Sequence, residues 1–449
     1  MCSADPRASG GLLSTVIVGG GPGGLGPLLC AAQHGSLSAW LEQGVALVER
    51  SGRLGGSLGR YAINSDSLGG SYLECLDAAG WPESLCHLRR DPVTLEMERY
   101  RTGFPPLPLV DRYMGRIGQA LAEMIGNQPS SALHLNTTAK SIRLRDDGSV
   151  AVLVRRDGTR PREIIARSAV VALGGRQSWW NLMATPDLRF ADCAIRRALP
   201  SNILLSQAGL REANEIIRLA ADRRIILLGG SHSAYAVAWA LLNLPAARDL
   251  RDGQIAILQR RPPRVFYADR ADATDDLYDV ESGDICVRTQ RVNRMGGLRG
   301  HGRDVWRRIT RRPNVPPETR VAVLALQDFS TPDLRAMIEE AALVVPCLGY
   351  RSVTLPIYDP SGLRLALKAD SNGDVVDESC RLRLESGEAL SNVFGIGLGT
   401  GFRPTASMGC EPNFTGQANS LWLYQNDIGA LIYRAIQAIS TERPKAAAA

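Results

Sequence analysis

The feature that most constrains the fold is a short apolar, β-branched run that ends abruptly in glycines. Residues 15–18 are Thr-Val-Ile-Val, and Gly-Gly-Gly-Pro-Gly-Gly follows before an apolar segment with helical character. Gly19, Gly21 and Gly24 fit the pattern G-x-G-x-x-G. In that pattern the first glycine permits a sharp turn, the second lets the backbone approach a pyrophosphate, and the third lets the new helix pack closely on the sheet. The stretch predicts a dinucleotide-binding unit.

An acidic residue follows the next predicted strand, which is Val-Ala-Leu-Val at residues 45–48. Glu49 is placed to bind a ribose hydroxyl, although it lies beyond the usual ~20 residues. We assign the extra length to an insertion over residues 35–44. The glycine-rich loop that follows contains Gly55 and Gly56 and leads into a polar run at residues 62–67, which we expect near whatever the first nucleotide carries.

A second nucleotide unit is predicted at residues 224–234, again a strand, a glycine turn and a helix. It fits G-x-G-x-x-A from Gly229, with Ser231 in place of the second glycine. The strand after it ends in Gln-Arg-Arg rather than in an acid, and guanidinium groups pair with a 2′-phosphate whereas an acid would repel one. Arg260 and Arg261 therefore predict NADPH over NADH. The alternative is that two of the chain's many arginines fell there by chance.

The composition excludes several functional classes. The chain has 52 basic residues, of which only three are lysine, so its net charge of +6 reflects a general arginine bias. No basic tract interleaved with aromatic residues suggests nucleic acid. The nine cysteines are scattered without a Cys-x-x-Cys pair, which suits a reducing cytoplasm and disfavours a thiol relay. The longest apolar stretch, near residue 230, is interrupted by a polar turn, so we expect no membrane span. The scattered cysteines lack the spacing of metal ligands, so we expect no metal site.

The order of these parts resembles the flavoproteins with two dinucleotide-binding domains. More narrowly, it resembles the class B flavin monooxygenases and the N-hydroxylating monooxygenases that act on ornithine or lysine side chains. Residues 344–350 lie where that family has a strand ending in Ala-Thr-Gly-Tyr, and residues 201–210 lie where it has a His-Ser-Ser-x-Tyr-like stretch. The resemblance implies FAD at the first glycine motif, NADPH at the second, and an NADPH domain inserted into the FAD domain.

The expected fold is therefore α/β with two Rossmann-like domains. The first part of the FAD domain is expected at residues 1–175, with a β-meander at about 133–170, where Asp-Gly turns at 147–148 and 157–158 punctuate a β pattern. The NADPH domain is expected at 176–340, and 341–449 should complete the FAD domain and end in a helix.

The chain also departs from the family pattern. Leu348 replaces the threonine of Ala-Thr-Gly-Tyr, and Gly397-Leu398 stands where relatives often have Gly-Asp at the ribityl chain. A Phe-x-Gly-x-x-x-His fingerprint is absent between residues 173 and 225, and the substrate residues of the ornithine and lysine enzymes have no clear counterpart near residues 67–88. The resemblance therefore supports the fold and cofactors better than the substrate.

The resemblance implies a reaction through a C4a-hydroperoxyflavin, which needs a water-poor cavity and hydrogen bonds to the peroxide but no protein nucleophile. Asn64 and Ser65 are the catalytic candidates, because they follow the flavin-side glycine loop; the alternative is a turn that caps a helix. Asp66 is a candidate for binding a cationic substrate amine, or else an ordinary cap or ion pair.

Further candidates lie in the second turn and near the C-terminus. His232 and Ser233 should contact NADPH or pack against its helix. Trp179 and Trp180 are candidates for interdomain packing or a substrate wall. The remaining candidates precede the last helix or follow the last core strand: Gly397, Thr415 and Gln417 for the flavin, and Asn413 for the substrate.

The sequence thus predicts a cytoplasmic FAD- and NADPH-dependent monooxygenase that N-hydroxylates a small amine or amino acid with molecular oxygen. Two alternatives stay open: an NAD(P)H:acceptor oxidoreductase that passes electrons to a quinone or protein, and a non-catalytic flavin-binding sensor or scaffold. For the oligomeric state, a homo-oligomer is one possibility alongside a monomer.

Overall fold

The computed structural model describes residues 12–177, 198–219, 222–368 and 375–441. Its strands, numbered over these residues, are β1 Leu13–Val18, β2 Val45–Val48, β3 Ala132–His134, β4 Thr137–Leu144, β5 Val150–Arg156, β6 Arg162–Val171, β7 Gly175–Arg176, β8 Ile225–Leu228, β9 Ile255–Gln259, β10 Val321–Ala325, β11 Leu343–Pro346, β12 Arg351–Ser352, β13 Ile357–Tyr358, β14 Arg364–Leu365, β15 Arg381–Arg383 and β16 Ala389–Gly395.

The α-helices are α1 Pro22–Gln33, α2 Leu37–Glu42, α3 Gly69–Asp77, α4 Pro92–Glu98, α5 Leu107–Asn127, α6 Ser201–Leu204, α7 Gln207–Leu219, α8 His232–Leu242, α9 Arg270–Asp275, α10 Gly300–Ile309, α11 Thr331–Glu340, α12 Leu421–Gln425 and α13 Asp427–Thr441. Short 3₁₀ helices occupy Leu58–Arg60, Glu83–Arg90, Pro245–Asp249, Ser282–Asp284, Leu326–Asp328 and Ala406–Met408.

The first sheet is built around β6, a ten-residue strand that pairs with three other strands along its length. Its first half pairs antiparallel with β5 in the β4–β5–β6 meander, and its second half pairs parallel with β1 and β16. The parallel core thus has the order β3-β2-β1-β6-β16. Because β16 comes from the end of the chain, the chain returns to this domain after building another one.

The second sheet is fully parallel, with the order β10-β9-β8-β11. The strands β8, β9 and β11 consist almost entirely of buried apolar residues, as expected when helices cover both faces, whereas the edge strand β10 is mostly half-buried. The insertion of this domain into the first one confirms the expected fold class. Pairing of β11 with β8 places Leu343–Pro346 in the second sheet, so that sheet extends past the boundary expected at residue 340.

Two short strands carry the chain between the domains. β7 leaves the first domain and β12 returns from the second, and they pair antiparallel, with Gly175 opposite Ser352. The crossovers therefore lie side by side. Trp179 and Trp180, expected at this crossover, lie outside the described residues.

Helix α1 lies at the centre of the first core, where it contacts α12 and α13 as well as the sheet. One C-terminal helix was expected, but the backbone turns at Asn426, with φ −122° and ψ −102°, and divides it into α12 and α13. Close approach explains the position of this end of the chain, because a side chain at Gly26 would place its Cβ 2.4 Å from the Tyr424 carbonyl oxygen.

The arginine-rich region 267–312 contains two helices, α9 and α10. In the described part of the chain, no helix is long and apolar enough to cross a membrane.

Candidate active site

The first glycine turn has the geometry that its motif predicts. Gly19 has φ +105°, and a Cβ there would lie 2.4 Å from the Ala172 carbonyl oxygen. A Cβ on Gly24 would lie 1.8 Å from the Gly19 oxygen, so only glycine lets α1 start this close to the sheet. By contrast, a Cβ on Gly21 would meet only the Gly56 Cα, at 3.8 Å. The turn is therefore closed toward the sheet and open where a pyrophosphate approaches the helix N-terminus.

Glu49 is fixed at the end of β2. Its Oε2 accepts a hydrogen bond from the Gly20 amide at 2.7 Å, and its Oε1 accepts one from the Ser51 amide at 2.8 Å. Each carboxylate oxygen retains a further lone pair for a ribose hydroxyl. The following loop is anchored to the same turn, because the Gly55 amide donates to the Gly20 carbonyl at 2.8 Å. These residues fit the dinucleotide that the motif predicts.

Gly397 lies against this turn, as expected for a flavin-side residue. It has φ +122°, and a Cβ on Gly23 would lie 3.6 Å from the Gly397 Cα. Thr415 and Gln417 are exposed, and the Thr415 carbonyl accepts a hydrogen bond from Arg403 at 3.1 Å. Their flavin contact stays a prediction.

The second glycine turn opens into a cavity of about 620 Å³ at the carboxyl ends of the second sheet. The strand order reverses between β8 and β11, which is where ligands bind in open α/β sheets. Arg260 and Arg261 both line the cavity, and Ser231 lines it from the N-cap of α8. The other lining residues are Leu228, Gly229, Gly230, Leu258, Leu326, Cys347, Leu348 and Gly349. Two arginines and no carboxylate line this crevice, so its residues fit a phosphorylated nucleotide.

Asp66 and His232 lie where the two nucleotide units approach each other. The Asp66 Oδ2 lies 3.8 Å from the His232 Nε2, although the first residue follows the flavin-side loop and the second starts α8. Burial lowers the pKa of His232, and nearby Arg299 lowers it further while Asp66 opposes the shift. Ser233 follows on the first turn of α8 and is half-buried. Burial therefore favours the neutral form of the imidazole.

Ser65 is held inside the first domain. It is 4% exposed, its Oγ lies 2.6 Å from the Tyr72 hydroxyl, and the Ser67 amide donates to it at 2.9 Å. These contacts favour a structural role for its hydroxyl. Asn64 bridges to Pro106 through its backbone, and its half-buried side chain makes no hydrogen bond with the described residues. A catalytic role stays a prediction for both residues.

Asn413 was expected to contact substrate, but the structure uses it to join the domains. Its Nδ2 donates to Glu281 Oε2 at 2.9 Å and to Asp284 Oδ1 at 3.1 Å, and its carbonyl accepts from Arg264. Both side-chain amide hydrogens are therefore used within the protein. The geometry favours an interdomain contact for this residue.

The sequence reasoning missed a second cavity between the domains, of about 190 Å³. Phe104 lies on its first-domain side, and Phe266 with three arginines, Arg291, Arg299 and Arg303, lies on the other. The arginines were visible as an arginine-rich run, but the general arginine bias concealed them. Among the described residues, no group of histidine, cysteine and acidic side chains could hold a metal ion.

Comparisons with known proteins agree with this geometry. No protein-family model matches the chain. The chain is 29% identical over 432 residues to CMP-5′-(3-aminopropyl)phosphonate hydroxylase of Streptomyces rubellomurinus, which covers 95% of this chain and 97% of the relative.

Solved structures share the fold at low sequence identity. The FAD-bound cadaverine monooxygenase DfoA of Erwinia amylovora has a TM-score of 0.53 and 14% identity, covering 96% of this chain and 95% of its own. The ornithine hydroxylase PvdA of Pseudomonas aeruginosa has a TM-score of 0.51 and 15% identity, covering 94% and 99%. OTEMO, in complex with FAD and NADP, has a TM-score of 0.50 and 14% identity, covering 96% and 84%.

These findings confirm the fold expected from the sequence, and the proteins that share it are flavin monooxygenases and hydroxylases. Leu348, which departs from the family pattern, lines the second nucleotide cavity, and Leu398 is 41% exposed, so neither departure closes a nucleotide site. The chain therefore shares the fold of flavin-dependent monooxygenases and is similar over nearly its whole length to a curated hydroxylase.

Proposed function

We propose that the enzyme N-hydroxylates a primary amine. The observation that carries the proposal is the meeting of Asp66, from the flavin-side loop, with His232, from the start of the NADPH-side helix, at 3.8 Å. A substrate held there would lie between the flavin-side loop and the start of the NADPH-side helix. The similarity to an aminopropylphosphonate hydroxylase over nearly the whole chain supports an amine as the acceptor of oxygen.

Asp66 and His232 supply different parts of the amine site. The exposed Asp66 carboxylate attracts and orients the substrate ammonium. The nitrogen must lose a proton before its lone pair can take up oxygen, and the neutral imidazole of His232 can accept that proton. Bound FAD, reduced by hydride from NADPH, supplies the oxygen-activating chemistry.

The overall reaction balances with molecular oxygen as co-substrate. Amine, O₂, NADPH and one proton give hydroxylamine, water and NADP⁺. One oxygen atom enters the new N–O bond, and the other leaves as water with two hydrogens.

The test is aerobic NADPH oxidation under ¹⁸O₂ with 3-aminopropylphosphonate, its CMP ester, cadaverine and ornithine. Mass spectrometry should detect one ¹⁸O atom on the nitrogen of one of these amines. Formation of hydrogen peroxide alone with every amine contradicts N-hydroxylation. Fast NADPH-dependent reduction of a quinone, with no oxygenated product, would favour the acceptor-oxidoreductase alternative, and failure of NADPH to bleach the flavin under nitrogen would favour a sensor.

A cytoplasmic setting completes the proposal. The scattered cysteines, seven of which are unpaired thiols in the described residues, support a reducing compartment.

A further inference from the structure

The 190 Å³ cavity between the domains is unusually cationic. Its wall on the first-domain side consists of Leu68, Thr102 and Phe104. The opposite wall contains Phe266 and Ala268. The remaining lining side chains are the three arginines, Arg291, Arg299 and Arg303. No carboxylate lines the cavity, and it shares no lining residue with the NADPH cavity.

Arg299 lies between this cavity and the amine site. Its guanidinium lies 4.2 Å from the centre of the Phe266 ring, and its Nη1 donates to the Asp66 carbonyl at 3.4 Å. Burial, together with the charges of Arg291 and Arg294, lowers the pKa of Arg299 to about 10, although Asp66 and Glu411 oppose the shift. The local positive charge is therefore in excess, and an anion would relieve it.

The guanidinium of Arg303 is only partly satisfied by the described residues around it. Its acidic neighbour Asp276 is 3% exposed and is already satisfied by the Arg307 Nε at 2.8 Å and by the Tyr267 hydroxyl at 2.7 Å. Arg303 lies 3.8 Å from Asp276, beyond hydrogen-bond length, and its Nε is buried without a hydrogen-bond partner. An unsatisfied buried donor beside a cavity favours an acceptor inside it.

Arg291 is the third cation. It is half-buried, and its side chain makes no hydrogen bond or ion pair with the described residues. Three guanidiniums around a small cavity suit a tetrahedral oxyanion, since each planar guanidinium can donate two parallel hydrogen bonds to phosphate-type oxygens. A carboxylate has only two oxygens and one charge, so it would leave more of these donors unsatisfied.

We propose that Arg291, Arg299 and Arg303 bind a phosphonate or phosphate group of the substrate, while its amine lies at Asp66. This proposal rests on the proposed N-hydroxylation and names its substrate class as aminoalkyl phosphonates or phosphate esters. Arg299 touches both ends of the arrangement, because it lines the cavity and contacts Asp66. The substrate would thus span the distance between a cationic cavity and an acidic side chain.

Binding to the FAD-loaded enzyme with NADP⁺, measured by calorimetry, tests the proposal without turnover. The probes are 3-aminopropylphosphonate, its CMP ester, CMP alone, 4-aminobutyrate as a carboxylate counterpart, and propylamine without an anion. Arg291→Gln and Arg303→Gln should each weaken binding of the phosphonate probes about 10- to 100-fold, because each removes charged hydrogen bonds. Arg270→Gln, at an exposed arginine of the same domain, is the matched control and should bind as the wild type does.

The probes separate the sources of the anion. Equal losses for free 3-aminopropylphosphonate and its CMP ester assign the cavity to the phosphonate group, whereas losses for CMP and the ester alone assign it to a nucleotide phosphate. Both results support the proposal. It is overturned if both variants bind every phosphonate and phosphate probe within twofold of the wild type, or if 4-aminobutyrate binds as tightly as 3-aminopropylphosphonate.

Failure of the proposed function is distinguishable from failure of this site. Loss of phosphonate binding in the variants, with no hydroxylamine from any amine in the wild type, keeps the oxyanion site and refutes N-hydroxylation. Hydroxylamine formation with unchanged binding in the variants refutes the oxyanion site alone. Arg291→Gln removes no hydrogen bond or ion pair with the described residues, so it tests the site even if Arg303→Gln fails to fold.

Discussion

The two glycine turns follow the same motif but use it differently. In the first turn, a Cβ on Gly24 would overlap the Gly19 oxygen, and Glu49 ties the turn to the next strand. The second turn has Ser231 at the central position, the uncharged Gln259 at the end of its second strand, and a cavity lined by arginines. The first site is thus a tightly packed turn that ends in an acid, and the second is a roomier crevice whose selectivity depends on charge.

Substitution of Gly24 should have the largest effect. Gly24→Ala places a Cβ 1.8 Å from a backbone oxygen that cannot move without unwinding the turn, so we expect a loss of about 3 kcal/mol or more in unfolding free energy, and loss of bound flavin. Thermal unfolding measures the loss of stability, and the flavin content of the purified protein measures the loss of flavin. Gly126→Ala is the control, because no atom lies within 4 Å of its Cβ in α5, and it should gain about 0.5–1 kcal/mol. Full flavin loading of Gly24→Ala would show that the first turn is not packed as described.

The second largest effect should come from the arginines of the NADPH crevice. Arg260→Ala with Arg261→Ala should raise KM for NADPH about 10- to 100-fold, since charged hydrogen bonds to a phosphate are lost, and should leave KM for NADH unchanged. Anaerobic flavin reduction at varied coenzyme concentration gives both values. Arg248→Ala, at another exposed arginine of this domain, is the control. An equal rise in KM for NADPH and NADH would mean that the crevice does not recognise the 2′-phosphate.

A smaller effect is expected when the acid of the first site is neutralised. Glu49→Gln keeps one oxygen for the Gly20 amide but turns an NH₂ group toward the Ser51 amide, so one hydrogen bond is lost. The cost should be about 1–2 kcal/mol, seen as roughly 5- to 30-fold weaker FAD binding in flavin titrations of the apoprotein. Glu42→Gln, at an exposed glutamate of α2, should bind FAD normally.

The smallest effect should be the pH dependence of protein stability that His232 causes, at the junction of the two nucleotide units. The pKa of His232 is lower in the folded protein than in the unfolded chain, so the unfolded state binds more protons on acidification. Its contribution to stability is complete above pH 6.5 and is lost as pH falls toward the folded pKa. Denaturant midpoints at pH 7 and pH 5 should differ less in His232→Asn than in the wild type, whereas His87→Asn, at an exposed histidine, should change nothing. An unchanged pH dependence in His232→Asn would exclude a buried neutral imidazole.

Local residue patterns were enough to predict both nucleotide turns. Gly19, Gly24 and Glu49 act within one strand–turn–helix unit, so their roles follow from short-range geometry. The meander was predictable for the same reason, since Asp-Gly turns separate alternating strands. The division of the last helix at Asn426 was not, because it depends on close packing against Gly26, far away in sequence.

The substrate side of the site could not be predicted in this way. Ser65 was a catalytic candidate on its position alone, and only the fold shows its hydroxyl against Tyr72. Asn413 was a substrate candidate, and only the fold shows its amide between Glu281 and Asp284. Neighbours that come from distant parts of the chain decide what a polar side chain can still bind.

The sequence alone predicted two phosphate-binding turns, NADPH at the second one, and the order of the domains. Those properties are encoded in short stretches where each residue acts on its immediate neighbours. Only the tertiary structure brought Asp66 to His232 and gathered Arg291, Arg299 and Arg303 around one cavity. Asp66 and His232 come from two domains, and Arg291 lies several residues before α10, which begins next to Arg299 and contains Arg303. Their chemistry depends on burial and on proximity that no local pattern records.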